Sequence, residues 1–274
     1  MLPSYLVTAF LARAAAVGLL AVIAQPVGAG AQGLLRARQS YNTGDYDTAI
    51  AAAQESPSEA ATIVLARAYL ERYRLRADRQ DLSAARNALL SLRPERLVPR
   101  DRLDHALGVA EAVYLDGAFG AAAELFEPLL SALAPLGPEA RERVVDWWAS
   151  ALDADARTRP AAERAHAYER IVGGMEAELR QHVPVGVASY WLAAAALGLG
   201  DAARAWQAAV AGWVRAGFAS AGTAVRGDLD RLVIEAIIPQ QVRGMPQPGR
   251  DATEAAHRTE WEAVKAEWPP PPTP

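Results

Sequence analysis

The sequence predicts an all-α protein, and three observations carry that expectation. Alanine supplies 62 of the 274 residues, β-branched residues are sparse and long stretches run without proline, a composition that favours helix over strand. Apolar residues such as Tyr46, Ala49, Ile50 and Ala53 fall on one stripe at helical spacing. The phrase "YNTGDYDTAIAAA" at 41–53 returns as "YLDGAFGAAAELF" at 114–126, which points to a repeated helical unit. With 51% apolar residues the chain can bury a sizeable core, as one extended domain or two compact ones. A net charge of −4 argues against general attraction to nucleic acid, and the absence of cysteine removes disulfides, thiolate metal sites, cysteine nucleophiles and a lipidated N-terminal cysteine.

From the N-terminus, residues 1–31 read as a secretory signal peptide. Arg13 precedes the apolar run "AAAVGLLAVIA", Pro26 breaks it, and Ala29 and Ala31 supply the small residues of a cleavage site. A membrane anchor is the competing reading, but the run is short of the ~20 residues that span a bilayer. Cleavage after Ala31 leaves a chain from Gln32 onward without a second hydrophobic span, expected to be exported to the periplasm or beyond, with no direct membrane insertion.

The repeat explains the next 190 residues. Aligned on glycine, Tyr41, Gly44, Tyr46 and Ala49 match Tyr114, Gly117, Phe119 and Ala122, and a third copy has Leu197, Gly200, Ala202 and Ala205. Leu82 and Ala85 fill the corresponding places between the first two, so the period is about 36 residues. A degenerate fourth unit pairs "EARERVVDWWASALD" with "AAERAHAYERIVGGMEAEL". Each unit reads as a helical hairpin: the first helix ends where glycine takes a left-handed cap, and the second begins under an aspartate or small residue. Ala37, Ala49, Ala110, Ala122 and Ala205 allow close helix approach, and the aromatic at 46 or 119 fills the adjacent gap.

These residues resemble the tetratricopeptide repeat, with "GDYDTAI" near that family's usual turn and second helix. The resemblance covers residues 32–220 as about five units and implies a right-handed superhelical solenoid. The second unit carries extra residues in "ERYRLRADRQ", the closing prolines are displaced to Pro57 and Pro94, and the fourth unit lacks the glycine. In such repeats the first helix of each unit meets the partner, which implies contacts at Arg38, Tyr41, Asn42, Arg67, Glu71, Glu111, Tyr114 and Tyr190. Tyr41 and Tyr114 read equally well as packing residues.

The C-terminal elements close the array. Residues 221–239 form an expected capping helix with Leu229, Leu232, Val233, Ala236 and Ile237 on one stripe, stopped by Pro239. A linker follows at 240–250, then a helix at 251–268 whose Asp251 and Glu254 have capping spacing and whose Trp261, Val264 and Trp268 form a narrow apolar side. That side suits docking against the body over a free partner-binding arm. Residues 269–274 are a proline-rich tail.

Catalytic signals are weak. His105, His166, His182 and His257 show no metal-ligand spacing and read as helix-surface or interfacial residues. "GLGDAA" at 198–203 satisfies a loose dinucleotide pattern, but an alanine-rich helix stands where a strand is needed. Asp153 and Asp155 read as solvated acids in a polar linker. Trp148 shares a stripe with Val144, Val145 and Leu152, and Trp206 and Trp213 hold core positions; Trp147, off that stripe, is expected to pack on the next unit. From Arg72 to Arg102 the chain has nine arginines and four acids, so Arg72, Arg74, Arg76 and Arg79 form a candidate anion site, against the reading of solvated helix ends. No cofactor or metal is expected. The functional expectation is a non-catalytic scaffold for a protein or peptide partner; the alternatives are a cell-envelope assembly component and a hydrolase with an unrecognised site.

Overall fold

The computed structural model describes residues 29–181, 186–218 and 222–269. Most of the expected export segment, His182 and residues 270–274 lie outside them. Every regular element among the described residues is a helix, and none is long and apolar enough to cross a membrane. The chain divides into two compact units with the boundary between Arg141 and Glu142.

The first unit holds α1 (Ala29–Asn42), α2 (Tyr46–Gln54), α3 (Glu59–Arg76), α4 (Arg79–Ser91), α5 (Pro99–Leu115) and α6 (Phe119–Phe126), followed by 3₁₀ turns at Glu127–Ala132 and Ala134–Leu136. Successive helices pack together in pairs, and α3 also lies against α1 and α5. Five small residues make this spacing possible: Ala37, Ala49, Ala61, Ala66 and Ala110 have no exposed surface. Ala122 and Ala205 are equally enclosed, so all the alanines expected to face another helix do so.

The repeated phrase encodes a repeated turn. Gly44, Gly117 and Gly200 have φ of 78°, 86° and 82°, a region where a side chain would be strained. At each, the following N–H reaches back five residues, Asp45 to the Ser40 carbonyl (2.9 Å), Ala118 to Val113 (3.2 Å) and Asp201 to Ala196 (3.0 Å). The glycine N–H meanwhile reaches back three, to Tyr41, Tyr114 and Leu197. This is the Schellman termination, which satisfies the last carbonyls of the helix. Asp45 and Asp201 then begin the next helix, accepting from the N–H of Thr48 (3.1 Å) and Arg204 (2.9 Å). The aromatic pairs of the phrase pack edgewise, Tyr41 with Tyr46 at 5.9 Å and Tyr114 with Phe119 at 5.4 Å.

The second hairpin solves the turn differently. Ala77 takes the left-handed conformation at φ 56°, and Asp78 caps α4 by accepting from the Gln80 N–H at 2.9 Å. Helix α4 therefore starts a turn earlier than the register that matches Leu82 with Tyr46, although Leu82 and Ala85 still face inward.

The second unit comprises most of α7 (Pro138–Thr158), then α8 (Ala161–Gln181), α9 (Gly186–Gly198), α10 (Ala202–Ala216), α11 (Gly222–Leu232), α12 (Ile238–Gln241) and α13 (Gly249–Glu267). Its main core gathers Ala205, Ala209, Trp213, Leu229, Val233, Ile237 and Trp261, with Trp206 packed against it. Val144, Val145, Trp147, Trp148 and Leu152 of α7 are all buried, including the off-stripe Trp147.

Three C-terminal expectations are corrected. Pro239 does not stop its helix: a π turn at Val233–Ile237 joins α11 to α12, which runs on to Gln241. Proline cannot donate to the residue 235 carbonyl and its ring crowds that turn, and widening the helix by one residue beforehand relieves both problems. Helix α13 starts at Gly249, two residues before Asp251, with no side-chain cap; Asp251 instead accepts from the Gln247 side chain at 3.0 Å. Docking of α13 is as expected for Trp261, which is fully buried and donates its indole N–H to Asp230 at 2.7 Å. Trp268 is different: the residue is 45% exposed, and its carbonyl accepts from the Trp213 indole at 2.9 Å.

Candidate functional site

Six of the eight expected partner-facing residues come together in the first unit, because α1, α3 and α5 are neighbours. Positions 67, 71 and 74 recur at i, i+4 and i+7, so one stripe of α3 carries Arg67, Glu71 and Arg74. Arg67 donates to Asp104 of α5 at 3.1 Å, and its guanidinium carbon lies 5.4 Å from the Tyr41 ring centre of α1. Arg74 stands 3.6 Å from both Glu71 and Glu111. Arg38 is 3.8 Å from Asp101, its side chain 48% exposed. Tyr114 is buried against Phe119, and Tyr41 is partly buried beside Tyr46, so both tyrosines contribute to packing. Asn42 ends α1 and is exposed.

Asp101 and Asp104 were not anticipated. Asp104 lies two helical turns before Glu111, so the stripe that selects Glu111 selects it too. Glu111 is 2% exposed, a carboxylate held inside the unit beside Arg74. Removing one partner from such a pair leaves a buried charge unmatched, whereas the exposed Arg38–Asp101 pair contributes little. The face thus combines a buried ionic interior with an exposed Arg38 at its edge.

The four arginines expected to form an anion site do not form one. Arg72 donates from Nε and Nη2 to both oxygens of Asp81, at 2.9 and 2.5 Å, and from Nη1 to Asp47 at 2.7 Å. Arg76 bonds the other oxygen of Asp47 at 2.5 Å. These bonds, from Arg76 first and Arg72 second, hold the Asp47 carboxyl below its ordinary range. Arg74 belongs to the Glu71–Glu111 cluster, and Arg79 opens α4. Counting charge along the chain missed this, because Asp47, which neutralises two of the arginines, comes from α2.

Tyr190 belongs to the second unit. It sits on α9 beside Trp191, ring centres 5.3 Å apart and 80° between planes. Trp191 donates to Asp146 of α7 at 2.8 Å in a buried bond. Asp153 of α7 accepts from the Tyr168 hydroxyl of α8 at 3.3 Å and pairs with Arg157 at 2.6 Å. Asp228 of α11 takes Arg231 at 3.1 Å. Burial, then Asp228, Asp153 and Asp146 in that order, push the Tyr190 phenol up to about 12. Burial also raises Asp153 and Asp228, opposed by Arg157 and Arg231 respectively. Asp153 and Asp155 are accordingly not linker acids: α7 continues through both to Thr158, and Asp153 is largely enclosed.

The remaining candidates are structural. Gly200 in "GLGDAA" is a helix terminator between α9 and α10. His105 Nε2 lies 3.1 Å from the Leu89 carbonyl, and His257 sits beside Trp206 and Glu260. Among the described residues no three His, Cys, Asp or Glu side chains gather as a metal site. No protein-family model, curated protein or solved structure matches this chain.

Proposed function

We propose that the chain is an exported scaffold of tetratricopeptide-like helical hairpins that binds a protein or peptide partner and performs no catalysis. The observation that carries this reading is the α1–α3–α5 face, where Arg38, Tyr41, Arg67, Glu71, Glu111 and Tyr114 converge from three consecutive hairpins. Stacking of the first helix of each hairpin is what a solenoid requires, since each unit buries its apolar side only against a neighbour. The three matching Schellman turns, in the α1–α2, α5–α6 and α9–α10 hairpins, support the same reading, because they give those hairpins the same turn geometry. Export rests on the sequence of residues 1–31 alone.

On this face the packed pairs order the interior and the exposed rim meets the partner. Arg38 and Asn42, both exposed on α1, are the residues to alter, since neither holds the core. Affinity capture from the envelope fraction of the native host should recover a stoichiometric partner with the parent chain. An Arg38→Glu, Asn42→Lys double variant that melts normally should lose it. Equal recovery by both proteins would place the partner elsewhere. A monodisperse chain that captures nothing and turns over a substrate would refute the scaffold.

A further inference from the structure

The connection between α4 and α5 is fastened on its inner side and unpartnered on its outer side. Leu92 and Leu97 are buried with Ile63 of α3, a 3₁₀ turn spans Pro94–Arg96, and Arg102 donates from Nε to the Pro94 carbonyl and from Nη2 to the Leu97 carbonyl, each at 3.1 Å. The residues between these anchors face solvent. Leu90 is 82% exposed and Val98 59% exposed, values of side chains that stand free rather than line a groove. Arg93, Arg96 and Arg100 are exposed as well, and among the described residues their side chains have no hydrogen-bond or ion-pair partner. Glu95 is the one acid within residues 90–100. This is the part of the basic run that stays free once Arg72, Arg74, Arg76 and Arg86 have met carboxylates.

The start of α1 lies at the same end of the first unit. Ser56, just before the α3 cap Ser58, donates to the Gly30 carbonyl at 2.7 Å, while Ile63 in the second turn of α3 meets Leu92 and Leu97. The segment read as an export signal, or as an anchor, therefore joins the unit at the end that carries this turn. Glu55 and Glu59 belong to the neighbouring α2–α3 connection, so the free positive charge is confined to the α4–α5 turn.

We propose that the α4–α5 turn rests on an anionic phospholipid surface, with Arg93, Arg96 and Arg100 on lipid phosphates and Leu90 and Val98 at headgroup depth. Guanidinium forks match phosphate oxygens bidentately, and the aliphatic side chains beside them gain by leaving water. An acidic protein fits this turn less well, because neither exposed aliphatic lines a groove that a peptide could fill. Attachment at this depth needs no spanning helix. It goes beyond the scaffold reading and does not depend on it; only the approach of the segment before α1 to a bilayer rests on export.

Because the chain has no cysteine, Leu90→Cys or Val98→Cys can carry a single polarity-sensitive fluorophore, and Ala121→Cys, exposed beyond the other end of α5, serves as the control. Each labelled full chain is titrated with vesicles of phosphatidylcholine alone and of phosphatidylcholine mixed equally with phosphatidylglycerol. The labels of Leu90→Cys and Val98→Cys should shift to the blue on the anionic vesicles only, and that of Ala121→Cys should not shift. Residues 1–31 are common to all three chains, so the differences between labels report the turn. Arg93→Gln, Arg96→Gln and Arg100→Gln together should weaken partition about a hundredfold, the effect of three basic residues at about 1 kcal/mol each near an anionic surface. Melting should stay unchanged, since none of the three side chains holds a partner, and added salt should weaken the parent in the same direction. No shift at either turn position, equal shifts on neutral and anionic vesicles, or unchanged partition of the triple variant would overturn the proposal. An equal shift of Ala121→Cys would place the contact elsewhere and overturn it as well. A blue shift with a polyglutamate peptide but none with vesicles would assign the turn to an acidic protein and overturn membrane attachment. Failure to capture a partner from the envelope would leave these titrations unaffected.

Discussion

Two adjacent glycines in the middle of α8 are expected to respond oppositely to the same substitution. Gly173 faces open space: a methyl built there meets nothing within 4 Å. At Gly174 the methyl carbon would lie 2.4 and 2.5 Å from two ring carbons of Trp148, which is 2% exposed and so has no free direction in which to move. Glycine in a helix interior is less favourable than alanine by roughly 0.5–1 kcal/mol, and both substitutions recover that amount. Gly173→Ala should therefore stabilise by about 0.5–1 kcal/mol. Gly174→Ala carries the same gain against an overpacking cost of about 1–3 kcal/mol, so its net effect is destabilising at most values in that range. The difference between the variants isolates the clash, because the backbone contribution cancels. Chemical denaturation followed by far-UV dichroism measures both on equal terms. Equal stability of the two variants would refute the packing of α8 on α7 described above.

Ala49→Leu and Ala122→Leu should each cost about 1–3 kcal/mol, while the same change at the exposed neighbours Ala51 and Ala121 should be nearly silent in thermal melts. Arg72→Gln should destabilise by about 1.5–3 kcal/mol because it strips two charged bonds from the 3% exposed Asp81, whereas Arg79→Gln should leave melting unchanged. Truncation after Gly249 removes Trp261 from the core, so melting should fall and dye-binding surface should appear; an unchanged melt would mean that α13 does not hold the core together. Burial holds Asp228 above the ordinary 3.8 in the folded chain. A fold that binds a proton more tightly than the unfolded chain loses stability as pH rises from that value through the folded one. Asp228→Asn should therefore gain most over the parent near neutral pH, and the advantage should vanish by about pH 3. A gain that persists in acid would mean that burial of the charge is not its origin.

Local chemistry made much of this fold legible without a structure. Gly44, Gly117 and Gly200 mark helix ends because only glycine adopts their backbone without strain, and Asp45 and Asp201 mark starts because a short carboxylate reaches its own helix's free N–H groups. Both are interactions within a few residues, so they can be read from spacing. The stripes of Val144, Val145, Trp148 and Leu152, and of Leu229, Val233 and Ile237, are legible for the same reason. The left-handed turn at Ala77 was hidden because alanine carries no turn signal of its own. The passage of a helix through Pro239 was hidden because a π turn upstream absorbs the missing bond.

Everything that depends on which helix lies beside which was decided by the tertiary structure. The run of arginines from Arg72 reads as an anion site along the chain, but Asp47 of α2 and Asp81 of α4 engage Arg72, Asp47 also engages Arg76, and Glu111 of α5 approaches Arg74. Gly174 reads as a weak point in a helix until Trp148 arrives from α7 to occupy its missing side chain. Tyr190 could be assigned to a face by register, but the carboxylates that push its phenol up come from α7 and α11, far away in sequence. Coulomb forces and steric overlap act through space, so residue order determines the hairpins and only their packing determines the charge and shape of the faces they build.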